Sequence, residues 1–241
     1  MIGKDPPADP VAAGSFEPVA GEPSPWAQTL SAARANLVPG LSLQALALAL
    51  VLAYYFHPAT HQLLDVLAAF KHRLGFRYSI VATAVFGGII PSLFLRLNPR
   101  TRDVTPYSHV LFYILFWAYK GFEVDLLYRV QGWIFGNGVS LAVIAKKVAV
   151  DQLLYTPFWS ATTAILIYHW KDAGFRLSSL TDMNWFRFQR RNLPKALLAT
   201  WVVWVPGVAI IYSLPASLQI PLFNIVLCFF SLLYVTLTRK P

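Results

Sequence analysis

The sequence predicts an all-α fold, a polytopic helical membrane bundle of about five spans joined by amphipathic or re-entrant helices. Three observations predict it. Only 13% of the 241 residues are charged while 56% are hydrophobic, against about 25% charged in an ordinary soluble domain. Residues 35–64, 78–95, 152–170 and 196–238 contain no Asp, Glu, Lys or Arg, and a spanning helix needs about 20 mostly apolar residues. These runs lack the period-two alternation of barrel strands, and lipid leaves helix as the other way to satisfy the backbone. The mean hydropathy of +0.52 agrees.

In chain order, residues 1–34 form a Pro- and Ala-rich tail with no apolar period, too poor in burial to offset its ordering entropy and so expected to be disordered. Its composition fits neither a cleaved signal peptide nor an Arg-rich presequence. Residues 35–241 are expected to form a single membrane domain. A first span covers about 41–57, after Pro39-Gly40, and His57-Pro58 ends it. Residues 59–73 set Leu63, Leu64, Leu67 and Phe70 against Asp65, Lys71 and Arg73, the pattern of an amphipathic helix at the interface. The second span, 78–97, carries Gly87-Gly88 and Pro91. The glycines allow a neighbouring helix to approach closely, and the proline removes one helical hydrogen bond.

Residues 105–136 read as an inserted, membrane-associated segment. Its many aromatics are interrupted by Lys120, Glu123, Asp125 and Arg129, a mixture that suits the headgroup level. One or two in-plane helices are expected there, with a re-entrant pair as the alternative. A third span covers about 148–170. The uncharged run 196–238 is broken at Ser213-Leu214-Pro215-Ala216-Ser217 and reads as a hairpin of two spans. Loop 171–195 holds six basic residues against Asp172 and Asp182, and Arg239-Lys240 close the chain. Both lie on one side of the membrane if the hairpin arms span, and their charge assigns that side to the cytoplasm or its equivalent.

The net charge of +9 is read as charge flanking spans and meeting anionic headgroups, not as a nucleic-acid footprint. The single cysteine, Cys228, lies inside the last span and cannot form an intramolecular disulfide. No Gly-rich phosphate loop, nucleophile elbow, zinc-protease helix or CxxC is present. His57, His61 and Asp65 stretch over about 12 Å of helix axis, too far to hold one ion together. No metal or cofactor is expected.

Two sets of residues are candidates for function. Asp151 and Gln152 stand at the start of the third span, with Lys147 one turn earlier on the same face. They line an aqueous path, or form a salt-bridged helix end at the headgroup level. Gln219 and Asn224 are the only amides of the terminal hairpin and are further pore-lining candidates. Pro157, Pro206 and Pro221 are helix-kink candidates, because an interior proline frees a carbonyl one turn earlier. A neighbouring helix or a threonine such as Thr156 or Thr200 is the usual partner for such a carbonyl.

From Lys147 onward the order and spacing of residues resemble a known family. The pattern is Lys147-x3-Asp151-Gln152-x4-Pro157, then Asn184-Trp185, Leu193-Pro194-x-Ala196-Leu197-Leu198, Trp204-x-Pro206 and Tyr212-x2-Pro215. It is similar to the family of the twenty-two-kilodalton peroxisomal membrane protein and the mitochondrial inner-membrane protein Mpv-seventeen. The match covers about residues 146–240, with echoes at His57-Pro58 and from Arg77 through Gly87-Gly88 to Pro91. Ile211-Tyr212 stands where the family has Asn-Phe. The resemblance, to a divergent bacterial-type member, implies a channel or pore for ions or small metabolites. It implies a bacterial cytoplasmic membrane, with the mitochondrial inner or peroxisomal membrane as alternative. The expected partners are the lipid bilayer, small solutes or ions, and a second copy of the chain in a homo-oligomer. The other classes are a non-transporting scaffold and an intramembrane enzyme that pairs Asp151 with His169 or Asp172. One clear ionisable group in a span is too few for catalysis, so no enzyme is expected.

Overall fold

The computed structural model describes residues 37–97 and 106–237. The tail 1–34, the break at 98–105 and the terminal Arg239-Lys240 lie outside them. Among the described residues every regular element is helical. In chain order these are α1 (Leu37–Phe56), α2 (Pro58–Leu74), α3 (Phe76–Leu97), α4 (Tyr107–Phe135), α5 (141–172), α6 (Ser178–Thr181), α7 (Trp185–Tyr212) and α8 (Ala216–Leu237). Two of them change winding along their length. Helix α3 is π-helical over Ala84–Ile89, and α5 over Asp151–Ser160.

By length and composition α3 is the one described helix long and apolar enough to cross a membrane. The number rises to three if each of two bent pairs is one span. These are Gly40–Phe56 with Pro58–Leu74, bent by 102°, and Trp185–Leu198 with Thr200–Tyr212, bent by 51°. The polar residues of its π-helical segment dilute α5, and the apolar stretch of α8, Ala216–Leu232, is shorter. The sharpest bend falls at His57-Pro58, where His57 caps α2 by accepting from the Thr60 N–H. The bend in α7 falls at residue 199, between Pro194 and Pro206 rather than at either.

The outer surface is rich in apolar side chains, and several charged and polar side chains are buried beside an apolar core. Large apolar side chains such as Leu52, Val81, Leu115, Phe158 and Trp159 are exposed, while Lys120, Glu123, Asp125, Asp151 and Asn224 are buried. The apolar core gathers Leu43, Ala47, Val51 and Tyr54 of α1, one face at helical spacing, against α7 and α8. Contacts along α3 and α4 run in opposite senses: Ser79 meets Asp125, Gly87 meets Trp117, Gly88 meets Ile114 and Arg96 meets Tyr107. Helix α5 is likewise antiparallel to α4, with Tyr155 on Glu123, Ser160 on Lys120 and Tyr168 on Phe112.

Segment 107–135 is therefore a single 29-residue helix packed between α3 and α5, one helix as the first of the two readings allowed and not the re-entrant pair of the alternative. Of its charged residues Lys120, Glu123 and Asp125 are buried, and Arg129 is exposed. Asp125 is 0% exposed and accepts from Lys71 Nζ at 3.0 Å, Ser79 Oγ at 2.6 Å and Arg129 Nε at 3.1 Å. That cluster ties α2, α3 and α4 together. Glycine permits the close approach: a Cβ on Gly121 would lie 2.3 Å from the Ser79 carbonyl oxygen.

Two of the three kink prolines leave a carbonyl that a neighbouring helix satisfies. Pro206 has no N–H for the Val202 carbonyl four residues earlier, and Gln44 Nε2 donates to that oxygen at 3.1 Å. In the π-helical stretch the i→i+5 pattern assigns Pro157 to the Gln152 carbonyl, and Trp201 Nε1 donates there at 3.0 Å. Pro221 lies inside α8 near its start. Gln44→Leu is expected to lower stability by about 1 kcal/mol, read by thermal unfolding in detergent. In a Pro206→Ala background, where a helical N–H reaches Val202, the same change should cost almost nothing.

Candidate functional site: a cavity inside the bundle

A cavity of about 140 Å³ opens between α4, α5, α7 and α8. Each helix contributes one face. From α4 come Trp117, Lys120, Val124, Leu127 and Tyr128; from α7, Thr200, Trp204 and Val208; from α8, Phe223 and Leu227. The spacings on α4 and α7 are those of an α-helical face. From α5 come Asp151, Gln152, Tyr155, Thr156 and Ser160, at steps of four to five. The wider π-helical turn brings this polar set onto one side. Isolated π turns frequently occur at functional sites.

The charges in the wall are arranged unequally. Lys120, 6% exposed, has all three donors engaged: it pairs with Glu123, donates to Ser160 Oγ at 2.9 Å and reaches the Tyr155 hydroxyl at 3.5 Å. The Tyr155 hydroxyl also donates to Glu123. Asp151, 4% exposed, is held by neutral donors only. Tyr212 OH donates to Oδ2 at 2.7 Å, and Gln152 Nε2 to Oδ1 at 2.9 Å, with Thr156 Oγ1 at 3.5 Å. No lysine, arginine or histidine forms an ion pair with Asp151 among the described residues. The Gln152 side-chain oxygen is buried with no hydrogen-bond partner among the described residues.

The expected Lys147–Asp151 pair does not form. Both side chains are buried, at 2% and 4% exposure, which does not fit the alternative of an exposed salt-bridged helix end. The helix widens at Asp151, and Lys147 rests its ammonium against the Tyr212 ring, 5.8 Å from the centroid. Lys147 does not line the cavity. Neither do Gln219, whose amide donates to the Leu214 carbonyl at 3.1 Å, nor Asn224, which accepts from Thr83 Oγ1 at 2.8 Å. Of the five pore-lining candidates, the structure brings Asp151 and Gln152 together at a cavity. Pro157 lies in the π-helical segment that presents them.

The enzymatic pairing finds no geometry. His169 packs on Phe188 and Asp172 pairs with Lys171 at 2.5 Å, and neither lines the cavity. Both lie on the same helix as Asp151, about 27 Å or more along its axis. No cluster of His, Cys, Asp and Glu fit to hold a metal occurs among the described residues. His61 instead pairs with Asp65 at 3.3 Å and stacks on Tyr54.

Sequence reasoning missed Lys120, Tyr155 and Ser160 as wall residues and Glu123 as the partner of Lys120, and noted Tyr212 only within a motif. A signal was present in α4: Trp117, Lys120, Val124 and Tyr128 share one helical face within 29 residues that hold no proline. Compared with known protein families, with curated proteins and with solved structures, the chain matches none.

Proposed function

We propose that the chain is a multi-pass membrane protein that lets small cations or cationic solutes pass, with the Asp151 cavity on their route. The observation that carries this reading is a buried carboxylate with no ion-pair partner among the described residues, at a cavity between four helices. An uncompensated charge in a membrane interior is costly and marks a pathway by default. Carboxylates in pores favour cations. The channel implied by the motif resemblance agrees with it.

The membrane arrangement is part of the proposal. Helix α4, with 29 residues, is about 43 Å long, enough to cross. Counting α1, α3, α4, α5, α7 and α8 as spans gives six rather than five. Arg96, Arg100, Arg102, the basic loop 171–195 and Arg239-Lys240 then share one side, in keeping with the positive-inside rule. Helices α1 and α7 run parallel, Gln44 meeting Val202 and Tyr55 meeting Ser213, which supports that count.

Single cysteines at Thr101, Ser178 and Thr238, in a Cys228→Ser background, should react with an impermeant thiol reagent from one face. A cysteine at Ser140 should react from the other. If Thr101 and Ser178 label from opposite faces, α4 lies in plane and the six-span count fails. Transport itself is tested with pure protein in liposomes, where cation flux should exceed that of protein-free vesicles.

A further inference from the structure

We infer that the cavity takes a small organic ammonium ion of up to about six heavy atoms, an inference that rests on reading this cavity as the solute's place. The size follows from its volume of about 140 Å³. A cavity of about 150 Å³ admits a molecule of benzene's size, which is ample for a short branched amine.

The chemistry follows from the wall. One side offers the Asp151 carboxylate, whose bound donors are all neutral, on a residue next to Gln152, whose Oε1 atom is buried without a partner among the described residues. An ammonium group supplies up to three N–H donors and the missing positive charge. Most of the remaining lining surface is ring and aliphatic, including Trp117, Tyr128, Trp204 and Phe223. Aromatic faces attract a cation more strongly once water is removed, and they receive the alkyl part as well. A bare metal ion would use the oxygens and leave this apolar wall without a role.

An anion is disfavoured by the same geometry. Lys120 is the cavity's lysine, but its three donors go to Glu123, Ser160 and Tyr155, and Glu123 neutralises it. Lys147 sits against the Tyr212 ring and not in the cavity wall. The unbalanced group that faces the cavity is therefore negative.

Calorimetric titration of the detergent-solubilised full chain tests this with three ligands of one shape: isobutylammonium, isobutanol and isobutyrate. Isobutylammonium should bind at least ten-fold more tightly than isobutanol, and isobutyrate should bind weakest. Asp151→Asn should abolish the preference for ammonium over alcohol, and Gln152→Leu should weaken ammonium binding several-fold. The comparison among ligands on the wild-type chain does not depend on any variant folding. Isobutyrate binding best, or ammonium and alcohol binding equally, would overturn the inference. The permeation reading fails separately. Asp151-dependent potassium flux with no ammonium binding keeps the route and discards this ligand class, whereas ammonium binding without any flux keeps the ligand and discards the route.

Discussion

Gly121→Ala is expected to lower the stability of the bundle by about 3 kcal/mol, at the upper end of what overpacking costs. The added methyl would stand 2.3 Å from the Ser79 carbonyl oxygen and 2.8 Å from the Thr83 side chain. A backbone oxygen cannot swing aside as a side-chain tip does, so α3 and α4 must separate. Separation also stretches the 2.6 Å bond from Ser79 Oγ to Asp125. Denaturant or thermal unfolding in detergent measures the loss. A variant as stable as the wild type would mean that the two helices do not touch at Gly121.

Asp125→Ala should cost about 3–5 kcal/mol, the usual penalty for removing one member of a buried ion pair. It leaves Lys71, 7% exposed, with a buried charge and no carboxylate. Arg129 suffers less, because its side chain is 45% exposed and can turn toward water. The cause can be separated from the size of the substitution. Replacing both partners, Lys71→Met with Asp125→Leu, should recover most of the loss, since an apolar pair of similar volume is often neutral or better. A double variant as unstable as Asp125→Ala alone would show that the cluster acts through Ser79 and packing instead.

Legibility in the sequence divides by the range of the interaction. The break at His57-Pro58 and the close approach at Gly87-Gly88 were readable because a proline and a glycine pair act through their own backbone. Asp151 and Gln152 were readable because they sit at the edge of an uncharged run, where polar residues stand out. Helix α4 was not. Its Asp125 finds Lys71 54 residues away, and its Lys120 finds Ser160 40 residues away. Charge interrupting aromatics reads as surface until those partners are known. The expected Lys147–Asp151 pair presumed a regular α-helix, and the π-helical winding that starts at Asp151 breaks the four-residue register. The oxygen that Lys147 was expected to meet accepts instead from Tyr212, 61 positions on. Gln219 and Asn224, expected to line a pore, are buried away from the cavity, where the Leu214 carbonyl and the Thr83 hydroxyl engage them.

Cations are proposed to pass the Asp151 carboxylate. The most direct measurement is the reversal potential of the pure protein in planar bilayers under a potassium chloride gradient. The wild type should reverse displaced toward the cation's equilibrium potential. Asp151→Asn keeps the size and the Tyr212 contact, removes the charge, and should shift the reversal potential back toward zero. Equal reversal potentials for the wild type and Asp151→Asn would take Asp151 out of the permeation path and contradict the account.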